Sequence, residues 1–273
     1  MKHISLIIPS LEPGGAEAVT VELANGFAQR GFSVHLVLFQ AKGDFLSRLS
    51  KQVTVVDLKA RHYVHVVLKL LRFLYTNKPQ VILSTIMISD VLLLLAKPLL
   101  FFQPKPKMAV RVGTTISKLP RVRLKKFLEY LLVNFAYPRA DVIIANSQGV
   151  AQDLKDYANI SRKPIHVIYN PVITPLFISQ REEIPSHPWF REERSFPLIM
   201  GMGRLEREKD FPTLMKAFAA LWENCRFDPN STPRLVIVGE GRERPKLEML
   251  ASKLGISEWV SLPGFVPNPA SYL

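Results

Sequence analysis

Two glycines, Gly201 and Gly203, and two permanent cations, Arg204 and Lys209, sit close together between an apolar run and a helical pattern. The run from Phe196 to Met200 reads as a buried strand, and Leu214, Phe218 and Leu221 recur at helical spacing, so the stretch is a strand-to-helix turn. Turns of this kind hold phosphates in α/β proteins. Glycine lets the backbone approach a ligand, and fixed cations reinforce the positive end of a helix. The local chemistry is that of a diphosphate clamp. A charged surface turn has the same composition, so the reading depends on the elements around it.

Those elements alternate. Strands are expected at Ile4–Ile8, Phe32–Phe39, Val53–Leu58, Val81–Ser84, Met108–Val112, Val142–Ala145 and Ile165–Tyr169. Helices are expected at His62–Tyr75, Ser89–Phe101, Arg123–Phe135 and Gly149–Tyr157, after a first helix with Val19, Leu23 and Phe27 on one face. Several strands are almost wholly apolar, as parallel strands covered on both faces must be. Residues 1–170 therefore form a doubly wound parallel sheet, with ligands at the carboxyl ends of its strands. Gly14 and Gly15 lie there, after the first strand, yet the spacing G-x-G-x-x-G is absent, which argues against a nicotinamide enzyme. Residues 171–196, with Pro171, Pro175, Pro185 and Pro188, read as a linker. A second α/β unit over 197–273 contains the clamp, a helix from Phe211 to Trp222, a strand Leu235–Val238 running into Gly239-Glu240-Gly241, a helix Pro245–Leu254 and a strand Val260–Leu262. It reaches only three strands before Leu273 and is expected to be incomplete.

The chain is 48% hydrophobic and 22% charged, the composition of a globular protein of 273 residues and about two domains. One cysteine, Cys225, excludes an internal disulfide framework and fits a reducing compartment, so a cytoplasmic protein is expected. No stretch is apolar for the roughly 20 residues that a membrane span needs. The net charge of +13 is concentrated in residues 58–128, which hold fourteen Lys or Arg against one acid, Asp90. That segment also contains Leu92-Leu93-Leu94-Leu95 and Leu99-Leu100-Phe101-Phe102, and a surface both cationic and apolar suits an anionic membrane. Nucleic acid is disfavoured, since neither an RNA-binding pattern of interleaved basic and aromatic residues nor a zinc-finger spacing occurs. His62 and His65 are at helical spacing, but no carboxylate or cysteine nearby completes a metal site. Glu17 reads as a dipole partner of the first helix, Asn146-Ser147 as a helix cap and Asn170-Pro171 as a turn.

Taken in order, several short motifs resemble those of the GT-B fold, retaining glycosyltransferases of the family 4 type, also called glycosyltransferase group 1. They are Gly14-Gly15-Ala16-Glu17, Asn146-Ser147, Tyr169-Asn170-Pro171, Gly203-Arg204-Leu205 with Lys209-Asp210, Leu235 to Gly241, and Pro263-Gly264-Phe265-Val266. The resemblance implies two Rossmann-like domains, the first binding acceptor and the second a nucleotide sugar. It implies that Arg204 and Lys209 hold the donor diphosphate as catalytic residues. It further implies that Gly14, Gly15 and Gly203 admit the phosphates and sugar, and that Phe265 and Val266 meet the base. Glu240, at a strand end between two glycines, is a further substrate-binding candidate. Relatives carry a histidine near the sugar; the corresponding stretch here begins at Arg111, which is expected to substitute for it. The family's paired glutamates, separated by seven residues, would lie past Leu273, so the resemblance implies a chain truncated before that motif.

The expected function is transfer of a sugar from a nucleotide-diphosphate sugar to a membrane-associated or polymeric glycan acceptor, with retention of configuration. No cofactor or metal is expected, since no Asp-x-Asp occurs and two cations can take the metal's place. The expected location is cytoplasmic, peripheral on the inner face of the cytoplasmic membrane through residues 58–128. The competing reading is a non-catalytic remnant, or an acceptor-binding and membrane-docking subunit that needs a partner chain. A sugar-nucleotide epimerase of the same fold is a second, enzymatic rival.

Overall fold

The computed structural model of the chain describes residues 2–102, 104–117, 123–157, 160, 163–190, 196–225 and 232–273. It divides into two compact units, Met1–Pro171 and Val172–Leu273.

Among the described residues the first unit is built on seven strands: β1 (His3–Ile8), β2 (Ser33–Leu38), β3 (Val53–Asp57), β4 (Val81–Ser84), β5 (Lys107–Val112), β6 (Val142–Ala145) and β7 (Ile165–Val167). All pair in parallel in the order β3-β2-β1-β4-β5-β6-β7. Helices α1 (Gly15–Gln29), α2 (Tyr63–Asn77), α3 (Met87–Ala96), α4 (Arg123–Ala136) and α5 (Gln148–Tyr157) connect them. Ile4, Leu6 and Ile8 of β1 join one core cluster while Ile7 joins another, as strand alternation requires of a sheet covered on both faces. Each such side chain contributes about 1.5–3 kcal/mol on burial, and this favours the two-sided sheet that the apolar runs predict. The strand order reverses between β1 and β4, which places a ligand crevice at their carboxyl ends.

One helix is shorter than its sequence pattern. Ser89–Phe101 reads as continuous, but α3 stops at Ala96 and Lys97–Leu99 forms a tight 3-10 turn. Pro98 has no N–H to donate to the ladder, so the α-helical hydrogen bonding cannot continue through it. Leu99 and Phe101 are thereby left exposed instead of packed.

The second unit holds α6 (Pro175–Arg181), β8 (Leu198–Met202), α7 (Phe211–Cys225), β9 (Arg234–Val238), α8 (Arg244–Lys253) and β10 (Val260–Gly264). Among the described residues its sheet has three parallel strands in the order β10-β9-β8. Leu235 and Ile237 pack with Phe211, Met215, Phe218 and Leu247 on one face. Val236 and Val238 pack with Tyr272, Trp189, Phe190 and Met200 on the other. The segment that reads as a linker thus supplies part of that cover. Thr174 caps α6 by accepting the Phe177 N–H at 3.1 Å, Asn268 donates to the Gln180 carbonyl at 2.9 Å, and His187 meets the Ser261 hydroxyl at 2.9 Å. Residues 191–195 of that segment lie outside the described residues.

Candidate functional site

Three loops at the carboxyl ends of β8, β9 and β10 are laced together by backbone hydrogen bonds. Gly203 N–H donates to the Val238 carbonyl at 3.0 Å and Gly239 N–H to the Gly264 carbonyl at 2.8 Å. Leu205 N–H donates to the Glu240 carbonyl, and Glu243 N–H to the Leu205 carbonyl, both at 2.9 Å. Gly239 makes this lacing feasible. Its φ of 140° is one that L side chains rarely adopt, and an added Cβ would stand 1.9 Å from the Gly203 carbonyl oxygen. The turn that opens the clamp starts later than the sequence indicates, because β8 runs on through Gly201 and Met202. A Cβ on Gly201 would approach the Leu214 side chain to 2.9 Å, so this glycine seats α7 against the sheet.

Arg204 is exposed and its guanidinium lies 3.6 Å from the Glu208 carboxylate. An exposed pair four residues apart is worth only about 0.3–0.5 kcal/mol, so an anionic ligand can displace it. Lys209 ends the 3-10 turn Arg207–Lys209 and is also exposed, with no salt-bridge partner among the described residues. Its stem passes beside Gly203, where an added Cβ would be 3.4 Å from Lys209 Cε. Asp210, left-handed at φ 51°, turns the chain into α7 and accepts the Thr213 N–H at 3.1 Å. Gly203, Arg204 and Lys209 therefore share one short loop before a helix N-terminus, as their spacing predicts.

The Glu240 carboxylate is already engaged. Arg244 grips it with two bonds, Nε to Oε1 at 2.8 Å and Nη2 to Oε2 at 2.9 Å, and donates to the Leu262 carbonyl at 3.1 Å. This grip holds the Glu240 carboxyl below the usual carboxylate range. Arg244 is the residue that sequence reasoning missed. Its only signal was the four-residue spacing to Glu240 and to Glu248, which it also contacts at 3.2 Å. Phe265 is exposed just past Gly264, while Val266 is half-buried against the Val236, Val238 and Tyr272 cluster.

In the first unit, Gly14 and Gly15 start α1 directly after the β1 loop, at the point where the strand order reverses. A Cβ on Gly15 would meet nothing within 4 Å, so that approach is open. On Gly14 it would lie 2.2 Å from Glu17 Oε2, because that carboxylate folds back over the helix start. The β1 loop is held by Leu11 N–H to the Lys42 carbonyl at 2.9 Å and by the Lys42–Glu12 ion pair at 3.0 Å.

Arg111, on β5, is only 5% exposed. Its guanidinium donates to the Asn170 side-chain carbonyl and lies in the field of Asp90. Asp90, on α3, is 1% exposed; the Tyr137 hydroxyl donates to its Oδ2 at 2.9 Å, and its Oδ1 has no hydrogen-bond partner. Burial pushes the Asp90 carboxyl up to about 7, against the opposing pull of Ser84, Tyr137 and Arg111. Nearby, Asn146 donates to the Gly113 carbonyl at 3.0 Å and the Ser147 hydroxyl accepts the Val150 N–H at 3.2 Å, capping α5. The Arg111–Asn170–Asp90 association joins residues scattered over 80 positions of the chain; the sequence marked each one separately, Arg111 as a substrate-binding candidate, Asn170 as a turn and Asp90 as the lone acid, but not their meeting. The His62 and His65 rings stand edge-on at 5.8 Å, and among the described residues no group of three or more His, Cys, Asp or Glu could hold a metal ion.

Two parallel-sheet α/β units, each with open glycine-bearing loops at the carboxyl ends of its strands, define a protein of two Rossmann-like domains. Residues 13–174 match the model of Glycosyltransferase Family 4 and residues 183–273 that of Glycosyl transferases group 1. The chain belongs to Glycosyltransferase Family 4 and has the GT-B fold. It is 27% identical to the Campylobacter jejuni N-acetylgalactosamine-N,N'-diacetylbacillosaminyl-diphospho-undecaprenol 4-alpha-N-acetylgalactosaminyltransferase, covering 100% of this chain and 72% of that protein. It is 24% identical to the lipopolysaccharide core biosynthesis glycosyltransferase LpsE of Rhizobium meliloti, over 95% of this chain and 66% of the relative. Among solved structures, Anabaena HepE in complex with UDP and glucose superposes with a TM-score of 0.72 at 18% identity, over 100% of this chain and 71% of that one. A Thermosynechococcus elongatus sucrose-phosphate synthase superposes with a TM-score of 0.71 at 14% identity, over 100% and 72%.

Proposed function

We propose that this chain transfers a sugar from a nucleoside-diphosphate sugar to a lipid-linked or polymeric glycan acceptor, with retention of configuration. The observation that carries the reading is the loop holding Gly203, Arg204 and Lys209 at the carboxyl end of β8, before the N-terminus of α7. In this reading Arg204 and Lys209 are the catalytic cations. As the glycosidic bond to the donor breaks, negative charge gathers on the leaving diphosphate, and fixed cations beside a helix start stabilise that charge more than the ground state. They supply the charge a metal would otherwise bring, so the reaction is proposed to run without one. In the second unit Gly203 lets backbone approach the donor, Phe265 and Val266 meet its base and Glu240 borders it, while in the first unit Gly14, Gly15 and Arg111 are the substrate-binding residues. The acceptor class is supported by the names of the relatives, one acting on a diphospho-undecaprenol carrier and one in lipopolysaccharide core synthesis.

The acceptor reading includes peripheral attachment to an anionic membrane surface on the cytoplasmic side. It rests on the basic segment 58–128, within which α2 exposes Tyr63, Val64 and Leu68 beside Arg61, Lys69 and Arg72. Lys118 and Arg121 of that segment lie outside the described residues. Among the described residues no helix is long and apolar enough to cross a membrane.

The test is transfer from a panel of nucleotide sugars to diphospho-polyprenol-linked acceptors, with Arg204→Ala and Lys209→Ala combined. Losing both charges is expected to lower transfer by about a hundredfold or more, in the range seen when transition-state donors are removed. Transfer undiminished in the double variant would remove the clamp from the mechanism. Failure of the unaltered chain to bind any nucleotide sugar would favour the non-catalytic reading.

A further inference from the structure

At the opposite ends of the first unit's strands lies a second cationic feature, which gives the membrane-attachment reading, on which the inference rests, a specific site. A cavity of about 370 Å³ is lined by Lys97, Pro98, Lys105, Pro138, Arg139, Asp141 and Lys163. These residues come from the turn after α3, the residues just before β5, the turn after α4, and the residues just before β6 and β7. Four cations and one carboxylate therefore line one cavity at the amino ends of three adjacent strands. The partners of the cations are mostly neutral. Lys97 Nζ donates to the Arg139 carbonyl at 2.8 Å and to Asp141 Oδ1 at 2.6 Å. Lys163 donates to the Ala140 carbonyl, and Arg139 donates to the Phe135 carbonyl while stacking 3.7 Å over the Phe135 ring. The remaining Asp141 oxygen accepts the Met108 N–H at 2.8 Å, so that carboxylate has little left to offer the other cations. Burial, and then the nearby charge of Lys97, pull the Lys163 ammonium below its usual range.

Four cations against the single Asp141 carboxylate leave an excess of positive charge in the cavity, and an entering anion lowers the cost of that excess. Oxygen-rich anions suit the donors present: ammonium groups on flexible stems and a guanidinium that forks onto phosphate oxygens. Exposed apolar side chains neighbour the lining: Leu99 directly follows Pro98, Phe135 lies beneath Arg139, and Phe101, 81% exposed, is two residues beyond Leu99. We infer that the Lys97, Lys105, Arg139 and Lys163 cavity binds a phosphate-bearing ligand, at a site separate from the carboxyl-end loops. Charged oxygens would sit among the four cations and an attached apolar portion would lie along Leu99, Phe101 and Phe135, which suits a phospholipid headgroup better than free phosphate.

The experiment uses the whole chain carrying Arg204→Ala and Lys209→Ala, so that the diphosphate clamp does not compete for the probe. Pyrophosphate binding is followed by phosphorus NMR line broadening, and vesicle binding by flotation on phosphatidylglycerol-containing against purely phosphatidylcholine vesicles. Lys105→Glu and Lys163→Gln are each compared with Lys51→Glu, an exposed lysine outside the cavity. Loss of pyrophosphate broadening in both cavity variants is expected, with vesicle half-saturation raised about fivefold per charge removed and Lys51→Glu near the parent. Pyrophosphate binding that depends on the cavity while vesicle binding does not would support the site and assign it to a free phosphate. Equal effects from Lys51→Glu would show diffuse surface charge and overturn the inference, as would absence of binding of either probe to the parent. Lys105 has no hydrogen bond or ion pair among the described residues, so its variant tests the cavity even if Lys163→Gln unfolds. Neither arm depends on sugar transfer.

Discussion

Asp90 shows how much one side chain depends on its surroundings. Its carboxyl is buried with one oxygen unpaired, and burial lifts its pKa to about 7. Between about pH 4 and pH 7 the unfolded chain releases a proton that the folded chain retains, so this group's contribution to stability falls as pH rises through that window and is level above it. From pH 5 to pH 8 the loss amounts to roughly 2–3 kcal/mol. Asp90→Asn is expected to abolish that part of the slope, read as the difference between variant and parent urea midpoints at the two pH values. An unchanged slope would mean that Asp90 is ionised in the fold. Gly15 offers a second test at this scale. With nothing within 4 Å of an added Cβ and a place in the first turn of α1, Gly15→Ala is expected to leave stability unchanged or raise it by about 0.5–1 kcal/mol, while reducing sugar transfer if backbone there meets the donor. Equal transfer by Gly15→Ala would remove this loop from the donor site.

The loops that end β8, β9 and β10 behave as one element because they bond to each other. Gly239 is its weakest point to substitution. Gly239→Ala combines a strained φ with a 1.9 Å approach to the Gly203 carbonyl, and is expected to cost about 2 kcal/mol or more, measured as a lowered denaturation midpoint. A midpoint within experimental error of the parent would show that the lacing yields without cost. Helix α2 carries the other element-scale expectation. Tyr63 and Leu68 are exposed, so Tyr63→Ser with Leu68→Ser should leave the fold intact and weaken association with anionic vesicles. Unaltered vesicle binding would take α2 out of the membrane face.

At the scale of the whole molecule, the charge excess is regional. Fourteen basic residues against Asp90 between 58 and 128 account for the net +13, while the flanking segments are balanced. Association with anionic vesicles should therefore decline steeply as salt is raised from low ionic strength, because exposed charges are screened over about 10 Å at 0.1 M. Binding indifferent to salt would point to apolar insertion alone. The chain spans 72% of the length of its Campylobacter jejuni relative and 66% of LpsE.

The sequence by itself determined the seven strands of the first unit and the three of the second. Short, β-branched apolar runs bounded by turn residues and alternating with helical patterns fit parallel strands covered on both faces. It also determined the place of Gly203, Arg204 and Lys209, because glycine and fixed cations between a strand and a helix are a local arrangement. Tertiary structure alone decided what each side chain faces. Asn170 and Asp90 on Arg111, and Trp189 and Phe190 across the second sheet, are contacts whose spacing along the chain carries no period. The same holds for Lys97, Asp141 and Lys163, which lie 22 or more positions apart and meet because the segments that carry them lead into adjacent strands.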